Sequence, residues 1–378
     1  ANEACYGKRV IPSYHFDKAK VIVSLSADFL GTWLSPVEFS NQYSQNRKVK
    51  GEKVELSRHF QFESMMSLTG SNADDRYTHK PSETGAVALA LAAKLGVAVA
   101  APSIADAKLT KAIDSVAAAL TAAKGAALVV CGSNDVNIQV IVNAINEAIG
   151  ANGTTINWAI TSNYKNGIDA DMAKLVGDMN SGAIGAVLIH GVNPAYSYSD
   201  SKKFKDGLLK VVGVSFNASM DETTELCKYL LPAHHWLESW GDAEPKTGYY
   251  SLIQPTINPL FKTRPFQTNL IKWSAAAGSL VNDYETYFKT YWNAKLGSAD
   301  LYEKALQDGV VEPTALPVGS ASFNSGKLTE AVAAIATIKG GAIEVIFYEK
   351  VSIGNGSQAN NPWLQEMPDP ITRATWDN

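Results

Sequence analysis

Short apolar runs rich in branched residues recur along this chain, and segments of helical length separate most of them. Runs of this kind, about four to eight residues long and bounded by polar or Gly-containing loops, are typical of strands buried on both faces. Helices that connect parallel strands cover both faces of the sheet. The pattern therefore predicts an α/β fold with doubly wound, mostly parallel sheets in two Rossmann-like units. The runs lie at residues 20–26, 126–131, 156–160, 186–190 and 211–216.

The length of the chain, 378 residues, suits roughly two domains of ordinary size. We expect a first, partial α/β unit at residues 1–98 and a second α/β unit at 99–378. The second unit contains a long irregular segment at 241–265, which is rich in proline. A helix is expected at 83–95 with Ser82 as its cap, and a late strand at 343–348.

Composition excludes several classes of function. The net charge is -4, and no basic stretch interleaves with aromatic residues, so we expect no nucleic-acid partner. The longest apolar stretch, residues 85–101, is interrupted by Lys94 and Gly96 and indicates a helix that runs into a strand. The first residues lack the charged-then-apolar pattern of a signal peptide. We therefore expect no transmembrane or signal segment in this chain.

Metal chemistry receives little support from the sequence. The three cysteines are far apart, whereas iron-sulfur clusters and structural zinc sites use thiolates at short spacing. A cluster of His234, His235, Glu238 and Asp242 could hold a metal or move protons, but its spacing matches no zinc motif. The alternative is a loop whose polar groups are hydrogen-bonded. The sequence predicts no metal ligand and no catalytic residue in this segment.

Polar loops follow three of the predicted strands. They lie at residues 132–134, 191–194 and 217–224. Ligands of open α/β sheets bind beyond the carboxyl ends of the strands, which is where these loops are expected. The loop at 132–134 lacks the glycine fingerprint of a dinucleotide site. All three could equally be ordinary connections to capped helices.

Four segments, taken together in their order and spacing, resemble the molybdopterin oxidoreductase family. Members of that family bind molybdenum between two pterin guanine dinucleotides. The resemblance implies a dinucleotide-binding edge formed by residues of these segments. The segments are 19–28 (AKVIVSLSAD), 62–83 with its Phe-Glu-Ser, Ala-Asp and Lys-Pro-Ser-Glu pieces, 191–194 (GVNP), and 222–241 with Glu-Thr-Thr, Leu-Pro and Glu-x-x-Gly. The implied edge residues are Ser26, Asp28, Glu63, Asn193, Glu222 and Thr223.

The chain departs from the family pattern at three places within these segments. Glu63 and Ser64 stand where the family has Asp-Pro, Lys228 where it has Asp, and Ser82 where it has Gly. A longer acid in place of the guanine-reading Asp, and a lysine beside the pocket, both disfavour tight binding of a dinucleotide. The resemblance with these departures implies a vestigial cofactor edge and no cofactor in this segment.

Within the family, several short segments of this chain are similar in sequence to one branch. That branch is the large iron-sulfur subunit of bacterial alternative complex III, a quinol-oxidising complex. The similarity rests on residues 27–31 (ADFLG), 66–74 (MSLTGSNAD), 254–255 and 259–261. It implies that this chain is an internal fragment, with iron-sulfur clusters elsewhere in the parent chain. It also implies a place on the periplasmic side of the bacterial inner membrane. The implied partners are quinol-oxidising membrane subunits and cytochrome c subunits.

Three functional hypotheses remain open from the sequence. The first is a cofactor-free scaffold in such an electron-transfer complex. The second is a fragment of an active molybdenum enzyme that binds molybdopterin guanine dinucleotide at the edge residues. The third is a free-standing nucleotide- or sugar-binding α/β module.

Overall fold

A computed structural model describes residues 1–49, 51, 55–275 and 283–376. The strands in these residues are β1 (Ile11–Tyr14), β2 (Val21–Leu25), β3 (Arg58–Glu63), β4 (Asp75–Thr78), β5 (Ala127–Cys131), β6 (Ile156–Ser162), β7 (Ala186–Ile189), β8 (Val212–Ser215), β9 (Tyr229–Leu230), β10 (Gly241–Lys246), β11 (Tyr249–Ile253) and β12 (Val310–Val311). The α-helices are α1 (Asn2–Tyr6), α2 (Pro36–Gln45), α3 (Leu68–Ser71), α4 (Thr84–Lys94), α5 (Ala107–Ala122), α6 (Val136–Ala148), α7 (Asp169–Ser181), α8 (Pro194–Ser197), α9 (Ser201–Leu208), α10 (Phe266–Ala275), α11 (Tyr284–Leu296), α12 (Ala299–Asp308), α13 (Leu328–Ala336) and α14 (Pro362–Glu366). Short 3-10 helices lie at Phe16–Lys18, Pro81–Glu83, Thr224–Leu226, Trp236–Glu238 and Ser325–Lys327.

The chain divides into two compact units. The first unit combines Ala1–Lys165 with Ala315–Asn378, and the second is Asn166–Thr314. The boundary that the sequence suggested after residue 98 runs through one sheet of the first unit, because β2 and β5 lie on either side of it and pair with each other.

The first unit is built on a parallel sheet with the strand order β4-β3-β2-β5. The chain moves outward from β2 to β4 and then returns to the other side of β2, as in Rossmann-type sheets. The loops after β2 and β5 therefore leave the sheet at its topological switch point. All five residues of β2 and all five of β5 are buried, as the apolar runs predicted.

Strand β5 lies at the end of this sheet, and side chains satisfy its outer backbone groups. Asn146 of α6 accepts from the Val129 amide at 3.1 Å and donates to the Val129 carbonyl at 2.8 Å. The hydroxyl of Thr155 donates to the carbonyl of Ala127 at 2.7 Å. An edge strand with unpaired backbone groups would invite another strand, so these bonds close the sheet on this side.

Helices cover the first sheet with apolar faces. Leu109, Ile113, Val116 and Leu120 of α5 recur at helical spacing and are all buried. Helix α4 is buried along most of its length, which agrees with the apolar composition of residues 84–92. It contributes to the same core as β2, β5, α6 and α13.

The second unit contains a smaller parallel sheet, β7-β8-β9, with β8 in the centre. Met179 of α7 and Phe204 of α9 are buried against this sheet, in one core cluster with Ile189 of β7. The predicted α/β fold with parallel sheets is therefore confirmed in both units.

The segment expected to be irregular, 241–265, begins with an antiparallel hairpin of β10 and β11, to which β12 adds a third strand. Pro245 lies inside β10 and cannot donate a backbone hydrogen bond, which is why the sequence did not predict a strand there. The register shifts between Ala243 and Lys246, so a local irregularity accommodates the proline.

Three further expectations need correction. Strand β6 fits the predicted run at 156–160 but pairs antiparallel with β1. Ser82 is not the cap of α4, since it lies within the 3-10 helix Pro81–Glu83 and the residue before α4 is Glu83. Residues 344–349 form no strand, because no neighbouring strand in the described residues offers them backbone partners.

Among the helices in the described ranges, none combines the length and the hydrophobicity that a bilayer-spanning helix needs.

Candidate functional site

The loop after β2 is held tightly at the carboxyl edge of the first sheet. Ser26 has a φ of 56°, a left-handed conformation that costs a non-glycine residue roughly 1 kcal/mol. Its amide donates to the carbonyl of Phe62, the neighbouring strand's penultimate residue, at 2.7 Å. The hydroxyl of Ser24 donates to the carbonyl of Ala27 at 2.9 Å. Ser26 is exposed, as a residue at a binding edge would be.

Asp28 fastens this loop to the chain that follows β3. Its Oδ1 atom accepts from the amide of Thr69 at 2.9 Å and from the Thr69 hydroxyl at 2.8 Å. The same hydroxyl oxygen accepts from the amide of Leu30 at 2.9 Å. The carboxylate of Asp28 therefore has a structural role inside the loop.

Glu63, the last residue of β3, has its carboxylate inside the protein. The residue is 2% exposed. Its Oε2 accepts from Gln61 Nε2 at 2.9 Å and from the Ser67 hydroxyl at 2.6 Å. Its Oε1 accepts from the Ser67 amide at 3.2 Å and from Arg76 Nε at 2.5 Å. A Cβ at Gly70 would overlap this carboxylate, so α3 can approach it only with glycine there.

A polar column continues from Glu63 along one face of β3. His59, Gln61 and Glu63 alternate with Phe60 and Phe62, so the three polar side chains lie on the same face. His59 Nε2 lies 3.2 Å from Gln61 Oε1, and its Nδ1 lies 3.2 Å from the Tyr43 hydroxyl. Burial lowers the pKa of His59 to about 4. The ring is therefore neutral. Its Nε2 donates to Gln61 Oε1, because Gln61 Nε2 is used by Glu63, and the Tyr43 hydroxyl lies between His59 Nδ1 and the Asn72 carbonyl, at 3.2 Å from each.

The two loops at the switch point of the first sheet touch each other. Gly132, which follows β5, donates its amide to the carbonyl of Leu25 at 2.9 Å. A Cβ on Gly132 would overlap the Ser26 carbonyl and crowd Ala27. The helix that starts after this loop is capped by Asp135, whose carboxylate accepts from the amides of Asn137 and Ile138. A carboxylate of the chain itself occupies the place where an anion would bind.

The carboxyl edge of the sheet β4-β3-β2-β5 is called the first edge below. Its residues Ser26, Asp28 and Glu63 do not fit a pterin dinucleotide. The carboxylate of Glu63 is buried and already accepts four hydrogen bonds. The loops after β2 and β5 also approach each other closely, since a Cβ on Gly132 would lie 2.2 Å from the Ser26 carbonyl oxygen. A guanine that approached Glu63 would have to displace Arg76 and Ser67 from it. Cofactor binding by the edge residues stays a prediction. In the first unit, the contacts of Glu63 and of the two loops disfavour such binding.

In the second unit, the loops after β7 and β8 join two of the segments that resemble the family. Asn193 Nδ2 donates to Glu222 Oε2 at 2.6 Å, and Asn193 Oδ1 accepts from the Thr223 hydroxyl at 2.7 Å. The Thr223 oxygen in turn accepts from the amide of Ala195 at 2.9 Å. The Gly-Val-Asn-Pro and Glu-Thr-Thr segments are thus two halves of one hydrogen-bonded unit.

Asn217 makes a second link between these loops. Its Oδ1 accepts from the Gly191 amide at 2.8 Å, and its Nδ2 donates to the Val192 carbonyl at 2.9 Å and to Asp221 Oδ2 at 2.9 Å. The sequence interpretation missed Asn217. The position directly after a buried strand was the available signal, since such residues lie at the edge where loops meet.

The carboxyl edge of the sheet β7-β8-β9, called the second edge below, has one acidic side chain that solvent can reach. Thr223 is fully buried, whereas Glu222 is exposed. The amide of Asn193 lowers the pKa of Glu222, because its hydrogen bond favours the ionised form. A charged carboxylate therefore faces solvent beyond the ends of β7 and β8, where it could accept hydrogen bonds from a ligand.

The other two departures from the sequence pattern, Lys228 and Ser82, make contacts of their own. Lys228 is exposed at the start of β9, with its Nζ atom 5.6 Å from the centre of the Tyr229 ring. Ser82 binds the carboxylate of Glu344 through both its amide and its hydroxyl, each at 2.8 Å.

The cluster at residues 234–242 uses its polar groups internally. His234 Nδ1 lies 2.6 Å from the Thr263 hydroxyl. Glu238 accepts from the amides of Leu260 and His235, and these bonds lower its pKa. Asp242 accepts from the indole nitrogen of Trp292 at 2.7 Å. Within the described ranges, no three His, Cys, Asp or Glu side chains come together as a potential metal-binding group.

Comparison with known proteins gives a structural match alone. No protein-family model matches the sequence. No curated protein matches it either. Among solved structures, acetylene hydratase from Pelobacter acetylenicus superposes with a TM-score of 0.58 at 10% sequence identity. The match covers 96% of this chain and 62% of that structure, so this chain spans less than two thirds of the length of the protein it resembles. At this identity the similarity shows the fold alone, an α/β fold like that of acetylene hydratase.

Proposed function

We propose that this chain is a scaffold segment of a molybdopterin oxidoreductase-like large subunit, and that it binds no pterin dinucleotide at its first strand edge. The fold similarity supports the superfamily. The absence of a pterin dinucleotide from the first edge is inferred from the burial and the hydrogen bonds of Glu63. Its carboxylate, in the position of the family's guanine-reading acid, is buried and accepts hydrogen bonds from Gln61, Ser67 and Arg76.

The larger assembly follows from the sequence resemblance. In this proposal the parent protein is the large iron-sulfur subunit of an alternative complex III, on the periplasmic side of a bacterial inner membrane. Clusters elsewhere in the parent chain carry the electrons, and the partners are quinol-oxidising membrane subunits and cytochrome c subunits. The sequence similarity at residues 27–31 and 66–74 supports the assignment to this branch.

Metal and pterin analysis of the full-length parent tests the proposal. The protein is purified from a bacterial host that makes molybdopterin guanine dinucleotide, and molybdenum is measured by mass spectrometry. Oxidised pterin is measured by fluorescence on the same sample. We expect neither at a level comparable to the protein concentration. Stoichiometric molybdenum with pterin would overturn the proposal and favour an active molybdenum enzyme.

A specific observation favours a second candidate, in which the second edge binds a nucleotide. Glu222 is exposed and ionised beside Asn193 at the ends of β7 and β8. Calorimetric titration of this chain with guanosine diphosphate separates the candidates. Binding that Glu222→Gln abolishes and Glu63→Gln retains would place a nucleotide at the second edge. Binding that Glu63→Gln abolishes would contradict the proposal that the buried Glu63 carboxylate takes no part in ligand binding.

A further inference from the structure

Three asparagines of this chain are followed directly by glycine, in the pairs Asn152-Gly153, Asn166-Gly167 and Asn355-Gly356. The backbone nitrogen of a following residue attacks the side-chain amide carbon of an asparagine, and glycine hinders this attack least because it has no Cβ. All three pairs therefore have the same intrinsic reactivity towards loss of ammonia. The folded structure distinguishes them.

The side chain of Asn152 is held by three hydrogen bonds. Its Nδ2 donates to the Tyr6 hydroxyl at 3.2 Å and to Glu147 Oε2 at 2.7 Å. Its Oδ1 accepts from the indole nitrogen of Trp158 at 2.8 Å. Both polar atoms of the amide are engaged, so its carbon can turn towards the Gly153 nitrogen only after the chain opens locally.

In the pair Asn355-Gly356 the attacking nitrogen is engaged. The Gly356 amide donates to the carbonyl of Ile353 at 3.1 Å. Asn355 is exposed, and its Oδ1 accepts from the Ser357 amide at 3.1 Å. The turn must therefore lose a backbone hydrogen bond before this nitrogen attacks.

Asn166 and Gly167 lie in the segment 163–168 between β6 and α7, outside the helices and strands. Both residues are exposed, although Asn166 makes an interaction of its own. In the part of the chain that the structure describes, the Gly167 amide has no hydrogen-bond partner. The nitrogen that attacks is therefore open to solvent in this pair.

The conformation of the backbone does not explain the glycine at position 167. Gly153 and Gly356 each have a φ of 81°, a left-handed conformation that favours glycine. Gly167 has no such φ, and a Cβ built there meets no atom within 4 Å. Neither backbone strain nor packing requires a glycine at this position, but its missing Cβ leaves the Asn166 amide carbon open to attack.

We propose that Asn166 is a site of spontaneous deamidation in the folded protein, and that it reacts before Asn152 and Asn355. The Gly167 nitrogen loses its proton and forms a bond to Cγ of Asn166, the Cγ–Nδ2 bond breaks, and ammonia leaves with that proton. Water then adds to a carbonyl carbon of the resulting succinimide and opens the ring to aspartate or isoaspartate. Either product adds a negative charge, and isoaspartate also adds a methylene to the backbone between β6 and α7.

Peptide mapping of the folded full-length protein by mass spectrometry tests the order of reaction. The protein is incubated in mildly alkaline buffer, in which a backbone nitrogen loses its proton more readily, and deamidation is measured at each pair. Asn166 is expected to react at least about tenfold faster than Asn152, whose hydrogen bonds must first be broken. In concentrated urea the three rates should become similar, because the unfolded chain has lost these structural differences.

Gly167→Ala tests whether the missing Cβ is responsible. It is expected to slow the deamidation of Asn166 by at least about fivefold, because the methyl group hinders the approach of the nitrogen. The fold should be unchanged, since the added Cβ meets no other atom. Gly185→Ala is the matched control, because Gly185 is also exposed and open to a Cβ but follows Ile184. Its Asn166 is expected to react as in the unmodified protein.

Three results would overturn the proposal. One is a folded protein in which Asn166 reacts no faster than Asn152, and another is one in which Asn355 reacts before Asn166. The third is a Gly167→Ala protein whose Asn166 reacts at the unmodified rate. The rate at Asn152 serves as an internal measure of folding in each variant, because loss of structure would raise it.

Discussion

Arg76 on β4 donates from Nε to Oε1 of Glu63 on the neighbouring β3, at a distance of 2.5 Å. The Glu63 side chain is 3% exposed and that of Arg76 is 23% exposed, so the pair is largely removed from water. A buried carboxylate needs such partners, because an uncompensated charge in the interior is costly. Arg76 therefore allows the Glu63 carboxylate to lie buried at the first edge.

Arg76→Met is expected to destabilise the protein by about 3 kcal/mol, because it leaves a buried carboxylate without its cation. Arg58→Met is the matched control in the same sheet. Arg58 pairs with Asp75 at 2.9 Å, but its side chain is 54% exposed. Its loss is expected to cost at most about 1 kcal/mol, since exposed ion pairs contribute little. Urea unfolding followed by circular dichroism measures both. Equal losses for the two variants would show that the Glu63 pair is not special.

The neutral, buried His59 predicts a pH dependence of stability. The pKa of His59 is about 4 in the folded chain, below its ordinary value of 6.5, because burial disfavours the charged ring. Between these two values the unfolded chain binds the proton and the folded chain does not. The contribution of His59 is therefore complete above pH 6.5 and is lost as the pH falls towards 4. Its size is at most ~3 kcal/mol.

Unfolding free energies of the unmodified chain and of His59→Gln, measured between neutral and acidic pH, check this expectation. The difference between the two proteins should shrink as the pH falls through that window. A difference that stays constant with pH would show that His59 titrates normally in the folded chain.

Much of the fold could be predicted from the sequence because buried parallel strands consist of apolar runs. β2, β5, β7 and β8 lie within a residue or two of the runs. Strand β4 (Asp75–Thr78) escaped prediction because it is polar and lies at the edge of its sheet. The strand predicted at 343–348 has the right composition, but composition does not supply a neighbouring strand.

The candidate site was predictable in position more than in chemistry. Strand ends could be located, and with them Ser26, Glu63 and Asn193. The sequence could not show that Glu63 points inward, because that depends on Arg76 and Ser67, which reach it from other elements. The alternation of polar and aromatic residues along β3 was the one local signal of a buried polar column.

Thr223→Val is expected to destabilise the second unit. The buried hydroxyl joins Ala195 to Asn193, and valine would leave the Ala195 amide and Asn193 Oδ1 without this partner. The cost is expected to be about 2 kcal/mol, the usual effect of unsatisfied buried polar groups. Thr314→Val, at an exposed position outside the helices and strands, is the control and is expected to change stability by less than about 0.5 kcal/mol. Thermal unfolding of both variants decides, and similar midpoints would contradict a structural role for the hydroxyl.

Gly132→Ala tests the close approach of the loops after β2 and β5. The added methyl group would overlap the Ser26 carbonyl, so the loops after β2 and β5 must move apart. We expect a loss of roughly 2 kcal/mol, in the range of overpacking substitutions. Gly177→Ala is the matched control, because Gly177 lies inside α7 and a Cβ there meets nothing within 4 Å. Since alanine favours a helix over glycine, this control should gain up to about 1 kcal/mol. Urea unfolding of the two variants should therefore give shifts of opposite sign. If Gly132→Ala also stabilises the chain, the loops at the switch point are not in contact in solution.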